Sequence, residues 1–149
     1  MSTGQGVSVC VTRRFSASPE RVFDAWLDPA TAGRWLFATA TGQMVRAEVD
    51  PCVGGSFTFT ERRNGEDVEH SGEYLEIDRP RRLVFSLSVN SSKSDRVMIE
   101  FVPAGAGCAL TLTHEMKPEW AEYASRTEAG WAGILDGLAA TLSRSFGPA

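Results

Sequence analysis

The sequence predicts a single α+β domain over residues 1–149: one strand, two short helices, six further strands and a long terminal helix. Three observations predict it. Apolar and polar residues alternate with period two through the middle of the chain, the mark of half-buried strands. Helix-start signals stand at Ser18-Pro19, at Asp28-Pro29 and at Pro118. The last of these opens an amphipathic stretch much longer than the usual helix of about 12 residues.

Each element follows from its residues. Gln5–Phe15 sets Val7, Val9 and Val11 against Ser8, Cys10 and Thr12, which reads as a strand. In SASPERVFDAWLDP, Ser18 can cap, Pro19 suits the first helical position and Glu20 complements the helix dipole. Val22, Phe23, Trp26 and Leu27 then form one apolar face. Asp28-Pro29 repeats the cap-then-proline signal and starts a second helix that ends near Leu36. GQMVRAEVD is a strand ended by Asp50-Pro51, and Gly54-Gly55 turns the chain. SFTFTERR puts Phe57 and Phe59 on one face, and Asn64-Gly65 is a strong hairpin signal because both residues tolerate positive φ. EDVEHSGEYLEI answers as the partner strand; RLVFSLSV, RVMIEFV and CALTLTHEM follow, separated by the turns NSSKSD and PAGAG. Six successive strands predict an antiparallel meander with one face packed and the other in water.

The terminal helix is expected to run about 27 residues from Pro118, with Gly147-Pro148 stopping it. Trp120, Tyr123, Thr127, Trp131, Ile134, Leu135, Leu138 and Leu142 fall in one stripe that should lie on the sheet. Gly130, Gly133 and Gly137 share one flank of that stripe. Each mid-helix glycine costs roughly 0.5–1 kcal/mol relative to alanine. Close approach of another backbone is the favoured explanation, and a pocket wall is the other.

Composition removes several functions. A net charge of −4 and a pI near 5.2 argue against nucleic acid as a partner. No apolar run approaches 18 residues, so no membrane span is expected. Cys10, Cys52 and Cys108 form no CxxC pair, and the N-terminus has no secretory pattern, so a cytoplasmic chain with free thiols is expected. His70 and His114 are the only histidines, with no carboxylate at ligand spacing, so neither metal nor cofactor is expected. GAGCAL lies between two hairpin strands and opens no helix, which excludes a dinucleotide loop. The acidic run Glu66, Asp67, Glu69, Glu73, Glu76 and Asp78 reads as a solvated face with cross-strand ion pairs.

Two histidines carry the remaining chemistry. His114 shares the apolar side of its strand with Leu110 and Leu112, where it can bond a ligand oxygen or move a proton near neutrality; backbone-satisfied burial is the commoner role. His70 alternates with Gly72 and Tyr74, and a bulge at the glycine leaves its register open.

RRFSASPERVFDAWLDPATAGRWL, GGSFTF, HSGEYLEIDRPRRLVFS, LTLTHEM and GWAGILDGL occur in that order. Together they resemble the homologues of the C-terminal domain of Aha1, the Hsp90 ATPase activator, within the START-like (SRPBCC, Bet v 1-like) superfamily. The resemblance runs from about Val7 to Leu142 and implies a helix-grip fold. In that fold a curved antiparallel sheet wraps the long C-terminal helix and leaves an apolar cavity. The residues it places around the cavity are Trp35, Phe57, Tyr74, Phe85, Met98 and Leu112. His114, Trp120, Tyr123, Trp131 and Leu135 complete the lining. A mostly apolar cavity with polar tips at Tyr74 and His114 suits a lipid-like or aromatic small molecule.

Three functions follow from the resemblance. The first is binding of a hydrophobic small molecule without catalysis. The second is a cyclase or hydrolase of polyketide-like substrates, which needs His114, His70 or Tyr74 to converge with a carboxylate. The third is a co-chaperone-like interaction module with an Hsp90-type chaperone, although the activator's separate N-terminal chaperone-binding domain has no counterpart expected in 149 residues. A second copy of the chain, as a homodimer, is also open as a partner.

Overall fold

The computed structural model describes residues 7–37, 41–90, 94–116 and 118–145. The chain runs β1 (Val7–Phe15), α1 (Pro19–Leu27), α2 (Pro29–Trp35), β2 (Gln43–Val49), β3 (Ser56–Arg63), β4 (Glu66–Asp78), β5 (Arg82–Val89), β6 (Asp95–Ala104), β7 (Gly107–Met116) and α3 (Ala124–Ser145). The seven strands form one curved antiparallel sheet in the order β1-β7-β6-β5-β4-β3-β2. β2 to β7 are the meander, and β1 closes against β7. This is the α+β order that the sequence predicts and the helix-grip arrangement that the family resemblance implies.

Cross-strand register builds the inner face in rows. Leu83 stands opposite Ile99, and Ile99 opposite Leu112. Phe85 meets Val97, and Val97 meets His114. All of these side chains are buried. Asn64 and Gly65 both take positive φ, so the β3–β4 hairpin turns as expected. The register of β4 against β5 shifts between Tyr74 and Glu76, and such a bulge bends a strand. Beside it, a Cβ at Gly72 would stand 1.8 Å from the Ser86 carbonyl oxygen, so only glycine lets the two strands approach.

The helices cover that face. Ser18 caps α1 by accepting the Arg21 amide N–H at 3.3 Å, and Val22, Phe23 and Trp26 are buried beneath the helix. Asp28 precedes α2 but does not cap its backbone; its carboxylate accepts the Thr31 hydroxyl at 2.6 Å. The long terminal helix is shorter than expected. Residues Pro118–Tyr123 form a 3-10 helix, a tighter geometry common at helix starts, and α3 itself has 22 residues. Trp131, Leu135, Leu138 and Leu142 face the core, and Asp136 pairs with Arg13 of β1.

Candidate functional site

The interior between α3 and the sheet divides into three neighbouring clusters. The first surrounds Phe37, just beyond α2. Its ring lies parallel to His70, with centroids 4.2 Å apart and planes within 7°. Phe57 faces it at 6.4 Å, while Phe59 at 5.9 Å and Trp131 at 5.8 Å meet it edge-on. Phe37 is buried, yet its φ is +59°, a left-handed conformation costing a bulky residue about 1–3 kcal/mol. A hydrogen bond holds it there: Arg63 Nη2 donates to the Phe37 carbonyl oxygen at 3.2 Å. Arg63 is itself fixed by Glu61, Nε to Oε1 at 2.5 Å, and the Glu61 side chain is only 1% exposed.

His70 faces the interior, which settles its register. Burial drives its pKa down to about 4, the positive charge of Arg63 adds to the effect, and Glu61 opposes it. The imidazole is therefore neutral at pH 7. Its Nδ1 is buried with no hydrogen-bond partner among the described residues.

The second cluster holds Trp26 and Trp35, packed edge to face at 4.7 Å. Both indoles are buried, and neither Nε1–H has a partner among the described residues. An unpaired buried donor costs about 1–3 kcal/mol. Trp26 borders an internal cavity of about 10 Å³, with Leu36, Phe57, Tyr74, Leu83 and Phe85 as its other walls. That is roughly the space of one water molecule. Burial pushes the Tyr74 phenol up from its ordinary pKa, and the negative charge of Asp50 adds to this, so the hydroxyl stays protonated.

The third cluster is fully paired. Trp131 Nε1 donates to His114 Nδ1 at 2.8 Å, and His114 Nε2 lies 2.9 Å from Asp95 Oδ2. Because Nδ1 accepts, the proton sits on Nε2 and is donated to Asp95. Both ring nitrogens are occupied by side chains, where the sequence favours backbone partners. The pair ties β7 to α3 and β6, and leaves no free nitrogen for a substrate. Among the described residues no group of three His, Cys, Asp or Glu side chains is placed to hold a metal ion.

Residues 16–143 match the family described as Activator of Hsp90 ATPase homolog 1-like protein. The chain belongs to that family. None of the curated proteins compared with it matches the chain. Among solved structures, it is 27% identical to protein CV1439 of Chromobacterium violaceum, covering 89% of this chain and 94% of the other with a TM-score of 0.80. CalU16 of Micromonospora echinospora is 26% identical over 91% of this chain and 76% of its own, with a TM-score of 0.70. SA2116 of Staphylococcus aureus shares the fold at 18% identity, a TM-score of 0.85 and coverage of 97% and 98%.

Within this member of the family, most of the expected lining residues come together. Trp35, Phe57, Tyr74, Phe85, Leu112, His114, Trp131 and Leu135 are all buried. Met98 is a correction: Val97, Ile99 and Phe101 take the inner positions of β6, so Met98 faces the other side, where its sulfur accepts from Arg82 Nη2. Tyr123 is half-buried in the 3-10 helix, under the Arg126 guanidinium. The side chain of Trp120 lies outside the described residues. Among the described residues the aromatic side chains pack on one another, and the cavity that Trp26 borders measures about 10 Å³.

Sequence reasoning missed Phe37 as a site residue, and with it Phe59, Glu61, Arg63, Trp26 and Asp95. A signal existed for the strand residues: the alternation Phe57, Phe59, Glu61, Arg63 continues on one face and carries a charge pair inward. The glycine flank is mixed. A Cβ at Gly137 would touch Trp35 at 3.4 Å, whereas Gly130 and Gly133 have open space beside them.

Proposed function

We propose that the chain is a small-molecule-binding domain whose ligand enters between α3 and the β3–β5 part of the sheet. The observation that carries this is the unpartnered indole donor of Trp26 at the wall of a cavity, with Trp35, whose indole donor is also unpartnered among the described residues, packed on it at 4.7 Å. Two buried donors are costly when unpaired, and a ligand with an apolar body and an acceptor oxygen supplies what they lack. Family membership favours the same reading. No catalysis is included, because His114 is capped on both nitrogens and His70 has no carboxylate bonded to it. The three free thiols, Cys10, Cys52 and Cys108, favour a reducing compartment such as the cytoplasm. No described helix is long and apolar enough to cross a membrane.

Thermal unfolding with chromone, naphthalene and decanoate as probes tests the reading. A ligand that binds only the folded state raises Tm with concentration. Chromone, which carries a ketone oxygen, should raise Tm and quench tryptophan fluorescence, and Trp35→Phe should weaken it about tenfold without weakening naphthalene. Failure of all three probes to bind overturns the proposal.

A further inference from the structure

Phe37 is enclosed as a ligand would be. One ring lies parallel at 4.2 Å, another faces it at 6.4 Å, and two present their edges within 6 Å. These are the spacings at which aromatic groups attract through their quadrupoles. The protein fills this box with its own side chain from a left-handed backbone at φ +59°, a conformation that bulky residues take only under constraint. The constraint is the bond from Arg63, locked in turn by buried Glu61.

The surroundings fit exchange. Phe57 is a wall both of this box and of the internal cavity, so the two spaces adjoin across one ring. Trp131, carried on α3, is another wall. An empty apolar site of roughly 150 Å³ admits benzene. A flexible alkyl chain gains nothing from a parallel ring face, whereas a flat ring system recovers the contacts that Phe37 gives up.

We propose that the box around Phe37 is a binding site for a planar aromatic ring, and that the ligand takes the place of the Phe37 side chain. The proposal rests on the small-molecule-binding reading and specifies its site and ligand class.

The test uses naphthalene and decanoate with the wild type, Phe37→Leu, Phe37→Gly and Phe101→Ala. Phe101 packs its ring on Phe23 at 5.0 Å, away from the box, and its truncation controls for unspecific cavities. Naphthalene should bind Phe37→Leu and Phe37→Gly at least tenfold more tightly than the wild type, with no such gain in Phe101→Ala and no gain for decanoate. Phe37→Leu retains apolar bulk, so it serves if the glycine variant fails to fold. In the wild type, naphthalene should shift the ring resonances of Phe37. Equal affinity across the variants, or an equal gain in Phe101→Ala or for decanoate, overturns the exchange. Should a probe bind the wild type with the Phe37 resonances unmoved, the exchange falls and the binding reading stands. Should no probe bind any variant, both fall.

Discussion

Over β6 and β7, the Trp131 indole bonds His114, and the other nitrogen of that histidine meets Asp95. Over β3, β4 and β5, the indoles of Trp26 and Trp35 and the Nδ1 of His70 have no partner among the described residues. The same difference appears in the backbone. Phe37 is held at positive φ on the second side, while β1, β7 and β6 pair on the first with unbroken register. One side of the core satisfies its polar groups locally, as a region selected for stability does. The other stores unpaired donors and strain, which persist where the structure serves something besides folding.

Identical substitutions on the two sides should therefore have unequal effects. Trp131→Phe removes a donor that is used and strands His114 Nδ1, so it should cost about 2–4 kcal/mol. Trp35→Phe removes a donor without a partner, and only about 0–1 kcal/mol of lost packing should remain. Urea unfolding of both variants measures the difference. Equal costs would erase the distinction between the two sides.

Acid sharpens the contrast next. His70 is neutral in the folded protein, with its pKa at about 4 against 6.5 when unfolded. The unfolded chain therefore binds the extra proton between those values, and stability falls as pH drops from 6.5 toward 4. The loss attributable to His70 is about 3 kcal/mol by pH 4. His70→Phe keeps a ring against Phe37 and removes the titration. Its Tm should fall less than that of the wild type between pH 7 and pH 4, and parallel curves would show that His70 is not the source.

The fold was legible because its signals are local. Ser18 caps α1, Asn64-Gly65 turns the β3–β4 hairpin, and period-two alternation marks the strands. The site was legible only in part, because its decisive features are not periodic. Strand alternation also puts Met98 on the opposite side of β6 from Val97 and Ile99, which a family expectation does not respect. Phe37 follows the last residues of α2 and has no pattern of its own; its left-handed φ and its contacts with rings as distant as Trp131 exist only in the folded chain. Likewise, a list of aromatic residues does not reveal that Phe37, Phe57, Phe59 and Trp131 pack ring against ring.

The glycines of α3 give the smallest effect and bring the comparison onto a single helix. Gly133 is exposed with nothing within 4 Å of an added Cβ, so Gly133→Ala should stabilise the protein by about 0.5–1 kcal/mol through helix propensity. Gly137→Ala has the same propensity gain but sets its Cβ against Trp35 at 3.4 Å, so the net gain should be smaller. Thermal unfolding of the two variants orders them. Gly133→Ala should therefore be the more stable of the two, because its methyl group meets only solvent while that of Gly137→Ala must be accommodated against the Trp26–Trp35 pair. Equal stabilisation would mean that Trp35 yields to the methyl group at no cost.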